Sequence, residues 1–303
     1  MLKGKRILFI SPSFFNYEKA LLNAMEENGA QVDFFDERPS NSFWIKGLVR
    51  VNPNLIEKKI QAYYQQILNQ AKNKTYDYFL LVKGESIPYS FLEAFTKEQA
   101  QAKRIFYMYD SFAEYPKFEK LLPYFHKNIS FEYRDTKAYN LQFRPLFYLE
   151  DYEQDSQERV IKYDFCFIGS AHTDRYLVGE KLRKEAKKLN LKAFLYYYAP
   201  SKMMFYLKRL FDKNLKAFDV KKLSYEKLSH SDILEIYSQS KAVLDINKPF
   251  QFGLSMRSFE ALVSGNKLIT TNQEIKEYDF YSPERILVID REKPVVEAAF
   301  FER

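Results

Sequence analysis

The chain has only eight glycines, three histidines and one cysteine in 303 residues, and no apolar run approaching membrane-spanning length. Each scarcity removes a class of function. With no G-x-G-x-x-G and no G-x-x-x-x-G-K-[ST], neither a standard dinucleotide fingerprint nor a P-loop is present. No G-x-S-x-G marks a nucleophile elbow. His126, His172 and His230 are scattered, so with a single cysteine a zinc site is not expected. The nearest acidic pair, Asp151 and Glu153, belongs to a solvated charge run, so no metal-dependent step is expected either. One cysteine cannot close a disulfide within the chain, which suits a reducing, cytoplasmic compartment. Cys166, in the apolar run YDFCFIG, has no basic neighbour in sequence to activate it and reads as a buried structural thiol. The apolar run of MLKGKRILFISPS is short for a signal peptide, and no transmembrane helix is expected.

What is present is a core. Hydrophobic residues make up 46% of the chain, enough for two α/β domains of about 150 residues each. The net charge of +7 favours acidic partners. Lys and Arg are dispersed, and most aromatics fall in apparent strands. That argues against a non-catalytic basic protein that binds nucleic acid or membrane, so no nucleic-acid partner is expected.

Apolar runs alternate with helical spacing along the whole chain. Lys5–Ile10, Gln31–Phe35, Tyr76–Val82, Arg104–Tyr109 and Asn128–Phe131 read as strands. Asn16–Glu27, Asn54–Asn73, Ser90–Glu98 and Glu114–Leu122 read as helices between them. The acidic stretch Glu150–Glu158 then interrupts the pattern. It predicts a boundary: residues 1–150 as a first domain, 151–162 as a linker and 163–303 as a second domain. The alternation restarts with strands Asp164–Ile168, Lys192–Tyr198, Ala242–Ile246, Lys267–Thr271 and Arg285–Asp290. Helices are expected at Thr173–Leu189, from a Ser231 cap to about Ser240, and at Met256–Ser264. Strands alternating with helices predict parallel, doubly wound sheets.

The stretch GLSMRSFEALVSGNKLITTN, Gly253–Asn272, carries the candidate chemistry. Ser255 suits an N-cap and Gly265 the left-handed residue after the helix. Met256, Phe259, Leu262 and Val263 should face the core, leaving Arg257, Glu260 and Ser264 on the opposite stripe. A cation in the first turn opposes the helix dipole unless an anion binds there. A carboxylate one turn on suits a ribose diol. The loop from Asn247 leads into this helix from a strand end, where doubly wound sheets bind ligands. The loop after strand DFCFI, with Gly169, Ser170, His172 and Arg175, is similar: small residues allow close approach, and Arg175 can reach a diphosphate.

FIGSAHTDR, ILEIYSQSKAVLDIN and RSFEALVSGNKLITTN together resemble the C-terminal half of GT-B glycosyltransferases, nearest their CgeB-like branch in bacterial surface-polysaccharide gene sets. The resemblance covers Tyr163–Asp290 and implies two Rossmann-like domains facing a cleft. It implies sugar transfer from a nucleotide-diphosphate donor to a glycan or lipid-linked acceptor, without a metal or other cofactor. Glu260 would hold the ribose, while Arg257, Ser258, Asn247, Gly169, Ser170 and Arg175 would line the donor site. Ser11 and Ser13 would lie on the acceptor side, with Asp110 or Glu85 as the base. Phe252 stands eight positions before Glu260, where retaining relatives carry a second glutamate. A nucleotide-sugar epimerase of the same architecture is the alternative, disfavoured by the few histidines. Finally, the basic segment Met203–Phe218 predicts a helix with Leu207, Leu210 and Phe211 toward the core and Lys202, Lys208, Arg209 and Lys213 in water. It is a candidate for peripheral contact with an anionic membrane.

Overall fold

In the computed structural model, residues 2–39, 57–153 and 159–302 are described. The chain divides into two units, Met1–Pro145 and Leu146–Arg303. The expected helix start at Asn54 and residues 154–158 of the acidic stretch lie outside the described residues.

The first unit runs β1 (Arg6–Ser11), α1 (Tyr17–Glu27), β2 (Gln31–Asp36), α2 (Glu57–Ala71), β3 (Tyr78–Val82), α3 (Tyr89–Glu98), β4 (Lys103–Met108), β5 (Lys127–Ser130), α4 (Tyr133–Tyr139) and β6 (Gln142–Phe143). All strand pairs are parallel, in the order β2-β1-β3-β4-β5-β6. The expected helix at Glu114–Leu122 is instead a 3-10 helix, Pro116–Tyr124. Pro123 inside it has no N–H for an α-helical bond.

The second unit runs β7 (Tyr163–Ser170), α5 (Arg175–Lys188), β8 (Ala193–Tyr198), α6 (Lys202–Phe211), α7 (Lys213–Lys216), β9 (Leu223–Ser224), α8 (His230–Ser238), β10 (Ser240–Asp245), α9 (Met256–Val263), β11 (Lys267–Thr270), β12 (Ile286–Val288) and α10 (Ala299–Glu302). α8 is capped by Ser229, which exchanges bonds with Asp232 in a capping box, rather than by Ser231. The sheet is again all parallel, in the order β9-β8-β7-β10-β11-β12. The chain builds outward from β7 to β9, then returns to β10 on the other side of β7. The carboxyl ends of β7 and β10 therefore flank the switch point, where a crevice opens in such sheets. In the first unit the switch lies between β1 and β3.

Alternation along β7 feeds two cores. Phe165 and Phe167 pack with Leu244 and Ile269, while Cys166 packs with Val243, Leu254 and Ala261 on the other face. Burial pushes the Cys166 thiol up to about 12, the mark of an inert structural cysteine. Tyr152, expected in an exposed linker, is buried in this second core, so the acidic stretch begins as packed structure.

Candidate functional site

The switch point of the second unit is charged. β10 ends on Asp245, whose side chain is buried and accepts three bonds from the start of α9. Ser255 Oγ donates at 2.7 Å, Ser258 Oγ at 2.7 Å and Arg257 Nη1 at 3.0 Å. Ser255 therefore caps by backbone position alone, its hydroxyl being given to Asp245. The Arg257 guanidinium also lies over the Phe167 ring, 5.6 Å from its centroid. One residue beyond β10, the Ile246 carbonyl accepts from Arg175 Nε at 2.9 Å, and Arg175 Nη1 meets His172 Nε2 at 3.0 Å. After β12, Arg291 pairs with Asp174 at 2.9 Å and donates to the Asn247 side-chain oxygen at 2.6 Å. The loops after β7, β10 and β12 are thus tied into one rim by arginines.

Arg175 is the anomalous member. It meets a carbonyl and an imidazole, with no carboxylate partner among the described residues. Burial, then the nearby Arg257, pushes its guanidinium down to about 9. His172 is held neutral, far below its usual range, by burial and then by Arg175, Lys248, Lys208 and Arg257. Its tautomer follows from its partners. Thr173 Oγ1 donates to the His172 carbonyl at 2.7 Å, so His172 Nδ1 must donate to Thr173 Oγ1. Nε2 is left to accept from Arg175. Arg175, Arg257, Arg291, Lys248 and Lys208 are the cations acting on this pair, against the two carboxylates Asp245 and Asp174. A surplus of positive charge half-buried at a switch point is chemically suited to an anion.

The structure gathers the site residues of the second unit, but in altered company. Of the α9 stripe expected opposite the core, Glu260 and Ser264 are buried and Arg257 is half-buried; of the stripe expected to face the core, Met256 is buried and Phe259, Leu262 and Val263 are half-buried and packed against the second core. Those three line a separate apolar pocket with Tyr148, Phe280 and Arg285. Glu260 takes the Tyr152 hydroxyl and acts electrostatically on Arg257. Asn247 is held on both ends, its side-chain oxygen accepting from Thr271 and Arg291 and its side-chain amide donating to the Gln251 carbonyl, so it organises the rim. At Gly169 a glycine is required by packing, since a Cβ there would meet the Phe167 ring at 2.6 Å. Ser170 ends β7, half-buried beside the cluster. Sequence reading missed Asp245, although it is the only charged residue of AVLDI.

In the first unit, Ser11 is buried, its hydroxyl donating to the neighbouring Pro12 carbonyl at 3.4 Å, while the Ser13 amide donates to Asp36 at 3.1 Å. Glu85 and Asp110 come together on one cation: Lys83 Nζ lies 3.3 Å from Glu85 and 3.0 Å from Asp110. Glu85 also binds Arg38 at 3.0 Å. Lys83 and Gly84 both take left-handed backbone conformations immediately after β3, a strained pair for a non-glycine residue. The residue missed here is Glu37, one past β2. It is fully buried, accepts from the Ser86 amide at 2.6 Å, and leaves Oε2 unpartnered. Burial raises its carboxyl from 4.5 to about 7, against the pull of Lys83.

A raised carboxyl keeps its proton in the folded state while the unfolded chain loses it. Stability contributed by protonated Glu37 is therefore present at low pH and is lost as pH rises from about 4.5 to about 7. Glu37→Gln removes that dependence. Wild type should lose about 3 kcal/mol relative to the variant between pH 5 and pH 8. Urea unfolding of both proteins at the two pH values checks this; parallel changes would show that Glu37 is ionised throughout.

No protein-family model matches the chain, and no curated protein matches it in sequence. Solved structures do match. A trehalose-6-phosphate synthase aligns over 95% of this chain and 88% of its own, with a TM-score of 0.63 at 10% identity. An α-glucosyltransferase, in complex with UDP and a DNA 13-mer, aligns over 95% and 87%, with a TM-score of 0.59 at 13% identity. The fold is GT-B. A putative UDP-N-acetylglucosamine 2-epimerase from Listeria monocytogenes also aligns, over 95% and 85%, with a TM-score of 0.52 at 10% identity. At these identities GT-B describes the architecture of both units, and the chemistry must be argued from the residues.

Proposed function

We propose that the protein is a glycosyltransferase that binds a nucleotide-diphosphate sugar on its second unit and passes the sugar to a hydroxyl of a glycan or lipid-linked acceptor. The observation that carries this is Arg175, a half-buried guanidinium without a carboxylate, beside Arg257 at the switch point. A diphosphate supplies the missing charge, and as the bond to the sugar breaks, the arginines neutralise the leaving nucleotide. On this reading charge neutralisation falls to arginine rather than to a metal. Among the described residues no group of three His, Cys, Asp or Glu side chains is placed to hold one. Ser170 and the α9 terminus border the phosphates, and Glu260 is assigned to the ribose. The acceptor proton is assigned to Asp110 in preference to Glu85, because its side chain is 16% exposed against 4%. Work on a bacterial surface polysaccharide, at the cytoplasmic side, is the setting suggested by the CgeB-like motifs.

The test is thermal shift and donor hydrolysis with UDP-, GDP-, dTDP- and CMP-linked sugars. A response to at least one diphosphate sugar supports the reading, and none to any would sink it. Formation of an epimeric nucleotide sugar without acceptor would favour the epimerase instead. Glu260→Ala should weaken the responding nucleotide about tenfold, as expected for loss of one charge-assisted grip. Collapse of the thermal transition without ligand would make Glu260 a structural partner of Tyr152 alone.

Histidine reports the anion directly. A diphosphate beside Arg175 should raise the His172 pKa, since it opposes the cations that now depress it. Proton NMR of the three imidazoles with and without UDP should show one resonance moving up in pKa and the other two unchanged. An unshifted trio would place the nucleotide elsewhere.

A further inference from the structure

The expected orientation of α6 is reversed in the structure. Met203, Tyr206, Leu207, Leu210 and Phe211 are 54%, 42%, 51%, 67% and 85% exposed. They recur at i, i+3, i+4, i+7 and i+8, so they form one continuous stripe facing solvent. Only Phe205 is buried, packed edge-on against Phe218, and it pins the helix to the second unit by its opposite side. Lys202, Lys208 and Arg209 lie on α6 to either side of the stripe, and Lys213 and Lys216 follow on α7. α6 itself carries no acidic residue, and the adjoining Asp212 is spent capping α7 through the Asn214 amide.

We propose that α6 is a docking helix that lies in the surface of an anionic lipid bilayer. Solvent-facing leucine and phenylalanine in a short helix have no stabilising role in water. Flanking cations keep the charge at headgroup level while the apolar stripe enters the acyl boundary, and Tyr206 suits the interface itself. A second copy of the chain would bring these five cations against five more, which disfavours the apolar stripe pairing with itself. Lys208 acts on His172, so the cationic site of the second unit lies near the docking helix. This surface stands whether or not the nucleotide reading holds.

Co-sedimentation of the full chain with vesicles tests it. Binding is expected to vesicles of phosphatidylcholine mixed with phosphatidylglycerol and not to phosphatidylcholine alone, and it should weaken as salt is raised. Leu210→Gln with Phe211→Gln should weaken binding by about tenfold or more, because both side chains then lose their transfer into lipid. Lys202→Glu with Lys213→Glu should weaken it at least as much. All four positions are exposed, so each variant should keep the wild-type melting temperature. Absence of binding to the mixed vesicles, equal binding to neutral vesicles, or wild-type binding by both variants would overturn the proposal. So would concentration-dependent self-association of the protein alone that Leu210→Gln with Phe211→Gln abolishes.

Discussion

Arg175→Met should abolish nucleotide binding while leaving the unliganded protein at least as stable as wild type. The two halves of this result have one cause. In the folded state Arg175 is desolvated and faces Arg257, which pushes its guanidinium down to about 9 from 12.5. For a cation with a depressed folded value, the penalty is borne in full below that value and is relieved only as pH rises toward the unfolded value. At neutral pH the protein therefore carries the whole cost. Methionine keeps the apolar stem, removes the charge, and gives up the bonds to the Ile246 carbonyl and His172. The bonds lost are worth about 1–3 kcal/mol together, and the relieved repulsion is of similar or larger size. For the liganded protein the balance inverts. Truncating one partner of a buried charge pair costs about 2–5 kcal/mol, so UDP affinity should fall by a hundredfold or so. Calorimetric titration with UDP and thermal melting without it read the two quantities separately. A variant that melts earlier yet binds UDP normally would make Arg175 a structural strut.

Asp245→Ala should act in the opposite sense, through folding. Asp245 is 1% exposed and receives Arg257, Ser255 and Ser258. Breaking a buried pair from one side strands the other charge, here about 3–5 kcal/mol, with two serine hydroxyls left without their acceptor. Arg257→Met alone strands the carboxylate and should cost a comparable amount. The double variant Asp245→Ala with Arg257→Met should recover much of that loss, since no charge remains buried unpaired. Urea midpoints of the wild type, both singles and the double form the cycle. Additive losses would mean that the pair is solvated and that the start of α9 is held by packing alone. The same cycle bears on function: Asp245 orients Arg257, so the double variant should fold yet respond poorly to nucleotide.

The alternation of strands and helices, and hence two parallel α/β units, was determined by the sequence alone. That information is local: apolar runs such as RILFI and AVLD fit strands buried on both faces, and glycine at 265 takes the left-handed turn that stops α9. The stretch from Gly253 to Glu260 stood out equally, because Arg257 and Glu260, one turn apart, open a helix that the loop after AVLDI leads into. Which residues it meets was not legible. The bonds from Asp245 span 10 to 13 positions and need the end of β10 set against the start of α9. Glu37 meets Ser86, 49 positions on, only because β1 lies between β2 and β3 in the sheet. Helical spacing shows that a helix has an apolar side, and it cannot show which side meets the protein. In α9 the polar stripe is drawn in as well as the apolar one, because Asp245 and Tyr152 offer Arg257 and Glu260 partners. In α6 the apolar stripe turned outward because the single buried anchor, Phe205, lies on the other side. Periodicity belongs to the chain, whereas the partner that covers a side chain is supplied by residues far along it, and only the folded arrangement brings them together.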